Sequence, residues 1–133
     1  MLNDLSPKKN QIVFGDDSIV IKKYIAGIEG GRTLTLTDST GTELVSGNVI
    51  KAGHVIIKTD TGLYFPAPVA GEAYDLATLE GEPVGVLYRT ILKSNPVASI
   101  MVAGVVNEAA LPYPADDFKG NMPHIIFTKD EEA

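Results

Sequence analysis

The sequence contains no cysteine and no tryptophan, and only two of its 133 residues are histidines. Without cysteine, the chain has no disulfide, no thiolate nucleophile and no zinc site with sulfur ligands. The histidines, His54 and His124, are far apart in the sequence, and neither has a second histidine at a metal-binding spacing. His54 precedes a predicted strand and His124 follows a proline at a strand start, so we interpret both as surface or turn residues. The sequence therefore predicts no metal site and no cofactor.

Motifs of catalysis are also missing. No serine stands in a GxSxG setting, and the glycine-rich segment 27–32 lacks the Lys-Ser/Thr ending of a phosphate-binding loop, so we interpret this segment as a turn. Two pairs of neighbouring acids, Asp16-Asp17 and Asp116-Asp117, lack the spacing of an EF-hand, and we interpret them as solvated loop acids. The sequence predicts no catalytic residue, and we expect that the protein is not an enzyme.

Basic clusters and long apolar runs are scarce. The net charge is −6, and the eleven basic residues are scattered except for Lys8-Lys9 and Lys22-Lys23, which argues against direct binding to nucleic acid. No apolar run approaches the ~20 residues that cross a bilayer, so no membrane association is expected. The first ten residues, MLNDLSPKKN, lack the apolar core of a signal peptide. We expect synthesis and retention in a cytoplasm.

Short apolar runs separated by turn residues dominate the rest of the chain, which includes 13 glycines and 8 prolines. The central stretch, residues 83–112, holds two apolar runs, 84–92 and 97–106, joined by the turn residues 93–96. The second run is apolar on both alternating faces, which is typical of a strand covered on both sides. The pattern predicts a buried central hairpin.

Further strands are predicted on both sides of this hairpin. Before it, we predict short strands at 12–14 and 19–25, a break at 27–31, and a half-buried strand at 32–38 on which 43–45 pairs back. The threonine face of the strand at 32–38 fits either exposure to solvent or an edge for a neighbouring subunit.

Hairpin and capping signals define the remaining elements. Residues 59–62 end in Gly62 and predict a tight turn between strands 55–58 and 63–65. A short helix capped by Asn107 and stopped by Pro112 is predicted, followed by a last strand at 123–128. These elements predict an all-β fold with one or two short helical turns, a small β-barrel or β-tulip-like single domain over residues 12–133. Residues 1–11 show no periodicity and are predicted to form an extended N-terminal arm.

The order of several motifs resembles the phage head-decoration proteins of the lambda type and the related phage head-fibre proteins. A hairpin leaves through FPAP, and after an acidic loop the chain returns as EPVGVLYR and then VASIMVAGVVNEAALP. The matching motifs are Gly85-Val86-Leu87, Val102-Ala103-Gly104 and the segment 107–111, and the resemblance covers about residues 49–112. The longer N-terminal half and the C-terminal strand depart from the family pattern, so the capsid footprint is not carried over.

This resemblance implies a virion structural protein, a capsid decoration or head-fibre subunit. Such a subunit is made in the host cytoplasm, binds the major capsid protein on the outer surface of the assembled phage head and stabilises it, often as a homotrimer. The N-terminal arm would be the capsid-binding segment, with Leu5, Pro7, Lys8 and Lys9 as candidate contacts. The candidate residues of the subunit interface are Leu111, Tyr113, Tyr64 and Tyr88.

An alternative function is a carbohydrate- or surface-binding β module. In that case exposed aromatic rings would stack on a ligand, and the candidates are Tyr64, Tyr74, Tyr88 and Tyr113. An enzyme on a small barrel is a third possibility, for which the sequence offers no catalytic centre.

Overall fold

Strands are the main regular structure in a computed structural model that describes residues 17–37, 41, 43–79 and 81–128. The predicted arm and the predicted strand at 12–14 lie outside these residues. One helical turn precedes the strands, and three 3₁₀ turns, Leu76–Thr78, Glu108–Ala110 and Lys119–Asn121, lie between them. In chain order the elements are α1 (Asp17–Val20), β1 (Ile21–Thr33), β2 (Val49–Ile50), β3 (Val55–Lys58), β4 (Tyr64–Pro66), β5 (Val69–Ala70), β6 (Ala73–Tyr74), β7 (Glu82–Leu87), β8 (Ile91–Leu92), β9 (Val97–Asn107) and β10 (Ile125–Thr128). The predicted all-β class is confirmed.

The main sheet has the strand order β1-β9-β7-β3-β4, with antiparallel pairing throughout this path. The strand β10 adds to β9 in parallel orientation, and β2-β8 and β5-β6 form separate two-stranded sheets. A single bridge, Leu34 to Tyr64, joins the chain after β1 to β4. The prediction left a small β-barrel and a β-tulip-like domain open, and the described strands do not close into a barrel. The physical reason is that β4 has only three residues and ends at Pro66, which has no N–H to donate to a continuous ladder.

The predicted central hairpin is confirmed where β7 pairs with β9. Val86 of β7 lies opposite Met101 of β9, and Leu87 lies opposite Ile100. The first apolar run is not one strand to residue 92, however, because β7 ends at Leu87 and the chain then forms β8, which pairs with β2. Both faces of β9 are buried at Ile100 and Met101, whereas the start of the strand at Val97 is exposed.

The glycine-rich segment 27–31 does not break the chain, and the prediction of a turn there is wrong. β1 continues through it to Thr33, with several shifts of register against β9. A Cβ on Gly27 would lie 2.5 Å from the carbonyl oxygen of Ile100. Glycine is needed here because the two backbones approach closely, which is the same residue preference that a turn shows.

The other predicted elements are largely confirmed. The turn 59–62 joins β3 to β4, with Gly62 at φ +90°. The side chain of Asn107 accepts a hydrogen bond from the Ala109 N–H and caps the 3₁₀ turn Glu108–Ala110. The pairing of 32–38 with 43–45 is reduced to one bridge, Thr37 to Glu43, since β1 ends at Thr33.

The core lies between β3, β7 and β9. The fully inaccessible side chains of these three neighbouring strands include Val55, Ile56, Val86, Leu87 and Met101. The turn that joins β2 to β3 packs against the same core, which places His54 at its border.

Candidate functional site

The four predicted interface residues do not share one surface. Tyr64 lies near two cations, with the Arg32 guanidinium carbon 5.8 Å and the Lys58 ammonium 5.6 Å from its ring centre. Tyr88 packs instead on Tyr24, with the ring centres 4.8 Å apart.

Leu111 and Tyr113 lie in a third place, next to the turn that carries His54. All four predicted residues are half-buried. Tyr74 joins Tyr113, with their ring centres 5.3 Å apart, so the four tyrosines of the alternative function do not form one stacking platform. The predicted arm residues Leu5, Pro7, Lys8 and Lys9 lie outside the described part of the chain.

We use the name outer patch for the exposed Tyr24, Ile25 and Arg89 together with the half-buried Tyr88. Tyr24 is 45% exposed and Ile25 is 57% exposed. The Arg89 guanidinium lies 5.3 Å from the centre of the Tyr88 ring, which itself contacts the ring of Tyr24. Tyrosine and arginine are the residue types that most often dominate the binding energy of protein interfaces.

A β-bulge exposes Ile25 at this patch. Tyr24 lies opposite Gly104 and Ala26 lies opposite Ala103, so that Ile25 is the extra residue on β1. β1 is at the end of the main sheet, and no other described strand pairs with its outer side. The sequence analysis missed Tyr24 and Ile25, because the position of β1 at the edge depends on the strand order.

The second region is an aromatic cluster around His54. The rings of Tyr74 and Tyr113 approach the imidazole edge-on, with centres 5.2 Å and 5.6 Å away, and Phe118 packs on Tyr74 at 5.2 Å. His54 is only 1% exposed. The predicted turn position of His54 is confirmed, but the surface position is wrong. His124 is exposed, as predicted.

The turn 51–54 is directed into the protein by its backbone hydrogen bonds. Gly53 N–H donates to the Leu87 carbonyl oxygen, and Ala52 N–H donates to the Thr90 hydroxyl. Gly53 adopts φ +91°, a conformation that favours glycine. The apolar neighbours Ala52 and Val55 were the sequence signal that this histidine is buried.

The protonation state of His54 follows from its surroundings. Nε2 lies 2.9 Å from the carbonyl oxygen of Ala67, and since that oxygen can only accept, Nε2 carries the proton and donates. Burial lowers the pKa of His54 to about 4, against the opposing effect of this hydrogen bond. The imidazole is therefore neutral at pH 7, with Nδ1 as a hydrogen-bond acceptor.

Tyr74 fixes the same region from the other side. Its hydroxyl accepts a hydrogen bond from the Val55 N–H, and burial raises the pKa of this tyrosine. Tyr74 therefore stays protonated and joins the β5-β6 hairpin to the start of β3. Its role in the described structure is to hold the cluster together.

A cleft of about 310 Å³ opens beside this cluster, and we call it the His54 cleft. Its volume lies at the lower end of the range of small-molecule sites. The residues that line it include Val45, Ile50, Lys51, His54, Pro112 and Tyr113.

The acidic loop before β10 does not form a metal site. Asp116 and Asp117 are exposed, and Asp116 pairs with the Lys119 ammonium at 3.2 Å. Lys119 also donates to Glu108 at 2.5 Å, and this hydrogen bond raises the lysine pKa. Within the described ranges, no group of three or more His, Asp or Glu side chains is placed to hold a metal ion. None of the described helices is long and apolar enough to span a membrane.

Comparisons with protein-family models, with curated proteins and with solved structures found no match to this chain.

Proposed function

We propose that this chain is a structural subunit of a phage head, a capsid decoration or head-fibre protein that binds the major capsid protein on the outer surface of the head. The proposal rests on the order of motifs across residues 49–112, which resembles those families. The all-β fold is compatible with it.

The structural observation that carries the proposal is the outer patch. Tyr24, Tyr88 and Arg89 form a continuous stack that reaches from β1 across β9 to the residues after β7, and the exposed Ile25 follows Tyr24 on β1. Such a set of exposed rings, an aliphatic side chain and a guanidinium matches the composition of energetically dominant interface residues. We assign the outer patch to self-association as a homotrimer.

The capsid contact is assigned to the N-terminal arm, residues 1–11. Lys8 and Lys9 supply positive charge in a chain of net charge −6, and Leu5 and Pro7 supply apolar surface. A peptide of this kind can add main-chain hydrogen bonds to the exposed edge of a partner sheet, and these contacts offset the entropy lost when it becomes ordered. The protein would then be located on the capsid surface of the virion.

Two variants separate these assignments. Heads assembled from the major capsid protein of the phage that encodes this chain under the proposal are sedimented with wild-type protein, with a chain lacking residues 1–11 and with Ile25→Asp. The deletion is expected to keep the trimer and lose head binding, whereas Ile25→Asp is expected to lose the trimer. Head binding that survives the deletion would show that the arm is not the anchor, and a wild-type protein that never binds heads would contradict the proposed function.

A further inference from the structure

We propose that the His54 cleft is a binding site for a small organic anion with an apolar body and one N–H or O–H donor, the class to which N-acyl amino acids and hydroxy acids belong. This site lies apart from the outer patch and does not depend on the proposed function.

The walls of the cleft are held in place by the rest of the fold. Lys93 donates from its ammonium group to the Val45 carbonyl oxygen and to Glu43, and its backbone N–H donates to the Asn48 carbonyl oxygen. The neighbouring strand β2 pairs with β8. A wall fixed in this way loses little conformational entropy when a ligand binds.

The opposite wall is fixed by close packing around Gly53. A Cβ on this residue would lie 3.0 Å from Leu111 Cδ2 and 3.2 Å from Pro112 Cδ. Pro112 and Tyr113 are therefore packed directly against the turn that carries His54. The two walls come from segments far apart in the sequence, and both are anchored by residues outside the cleft.

His54 provides a buried hydrogen-bond acceptor in this cleft. Nε2 donates to Ala67, which does not line the cleft, and Nδ1 receives no hydrogen bond from any described residue. A buried acceptor without a partner is costly, so the chemistry of the site favours a ligand that brings an N–H or O–H donor.

Lys51 provides the positive charge. It lines the cleft, it is exposed, and none of the described acids pairs with it. The acid nearest in the chain to this wall, Glu43, is paired with the Lys93 ammonium at 2.9 Å. Lys51 is therefore the group of the lining that favours an anion.

The other residues that line the cleft determine which ligands fit by size and polarity. Val45, Val49, Ile50 and Pro112 present apolar surface, and Tyr113 presents an aromatic ring. A volume of about 310 Å³ is equivalent to about ten molecules of liquid water, which corresponds to one small organic molecule. An apolar side chain, one donor and one carboxylate match these three features.

The test uses N-acetyl-L-leucine as the probe. It is titrated into the isotope-labelled full chain, and the imidazole nitrogen signals of His54 and His124 are followed by NMR. For about 12 non-hydrogen atoms a Kd on the order of 1 mM is expected. We expect the Nδ1 signal of His54 to move with saturation, while the signals of the exposed His124 stay unchanged.

Two further compounds and one variant test the charge and the donor. N-acetyl-L-leucinamide lacks the charge and 4-methylpentanoate lacks the donor, and each is expected to bind at least about fivefold more weakly. Lys51→Gln, a change at an exposed residue, is expected to weaken the binding of the probe by about fivefold at low salt. The Ile25→Asp variant is expected to bind the probe like wild type, which separates this inference from the proposed assembly.

The proposal is overturned if the Nδ1 signal of His54 does not respond at probe concentrations well above 1 mM. It is overturned equally if the three compounds bind alike, or if Lys51→Gln leaves the affinity unchanged.

Discussion

The outer patch and the His54 cleft both contain aromatic rings, but they place these rings in opposite environments. In the outer patch, Tyr24 and Ile25 are largely exposed, and the contacts among the side chains leave much of their surface in water. In the aromatic cluster beside the cleft, Tyr74 and Tyr113 surround a histidine that is only 1% exposed. The first arrangement can bury further surface in a partner, whereas the second already contributes to the stability of the folded chain.

The largest expected difference between exposed and buried parts concerns two isoleucines. Ile100 is 1% exposed in the core, and Ile25 is 57% exposed in the outer patch. Ile100→Ala is expected to lower the free energy of unfolding by about 2–5 kcal/mol, and Ile25→Ala by less than about 1 kcal/mol. Urea denaturation measures both. Equal losses would contradict the assigned burial.

The second-largest expected effect is the pH dependence of the free energy of unfolding that His54 causes. Its pKa falls from 6.5 to about 4 on folding, so the unfolded chain binds the proton more readily between these values. Stability is therefore fully present above about pH 6.5 and declines as the pH falls towards 4, by about 3 kcal/mol from this group.

His54→Phe keeps a ring in the cluster and is expected to remove this share of the pH dependence. Denaturation at pH 7 and pH 4.5 compares the variant with wild type and with His124→Gln, a change at the exposed histidine. The His124→Gln protein should retain the wild-type slope. A His54→Phe protein with an unchanged slope would show that His54 does not titrate as assigned.

Two glycines with the same backbone conformation test the packing behind the cleft. Gly53 has φ +91° and Gly62 has φ +90°. A Cβ on Gly53 would lie 2.7 Å from Val20 Cγ1, whereas nothing lies within 4 Å of a Cβ on Gly62. Gly53→Ala is expected to cost about 2–3 kcal/mol and Gly62→Ala about 1 kcal/mol in thermal unfolding. If both substitutions lower the stability equally, backbone strain alone explains the loss, and the predicted close packing around Gly53 is contradicted.

The smallest expected effect concerns the lysine that anchors the cleft wall. Lys93→Gln loses the ion pair with Glu43 and alters the bond to the Val45 carbonyl oxygen, and a loss of about 1 kcal/mol is expected. Lys51→Gln, at the rim of the same cleft, should change the stability by no more than about 0.5 kcal/mol. Chemical denaturation of both variants distinguishes an anchoring lysine from a ligand-binding one.

Local sequence patterns were sufficient for the elements whose partners are near in the chain. The apolar runs and the turn before Gly62 predicted the hairpin of β3 and β4, and Asn107 predicted the cap of a short helical turn. These patterns were insufficient where a residue is required by its contact with a neighbouring strand that is distant in the sequence. The glycines at 27–31 have the composition of a turn, yet Gly27 is needed because the Ile100 carbonyl oxygen is so close.

The two candidate regions, the aromatic cluster around His54 and the outer patch, are formed by residues that are even further apart in the sequence. The aromatic rings around His54 are those of Tyr74, Tyr113 and Phe118, which two segments distant from it in the sequence supply. The outer patch joins Tyr24 to Tyr88 only because β9 lies between β1 and β7. Tyr88 is a candidate that the sequence already offered, and this stays a prediction, while its neighbours in the patch could be found only from the strand order.

The most direct test of the outer patch as a surface for self-association is the mass of the protein in solution, measured by light scattering after size-exclusion chromatography. For the wild type we expect three times the 14.1 kDa of one chain, and for Ile25→Asp the mass of one chain. A charge at this exposed position should leave the fold intact, which the thermal unfolding of the variant verifies. A wild-type monomer at every concentration, or a trimer that persists in Ile25→Asp, would contradict the assignment.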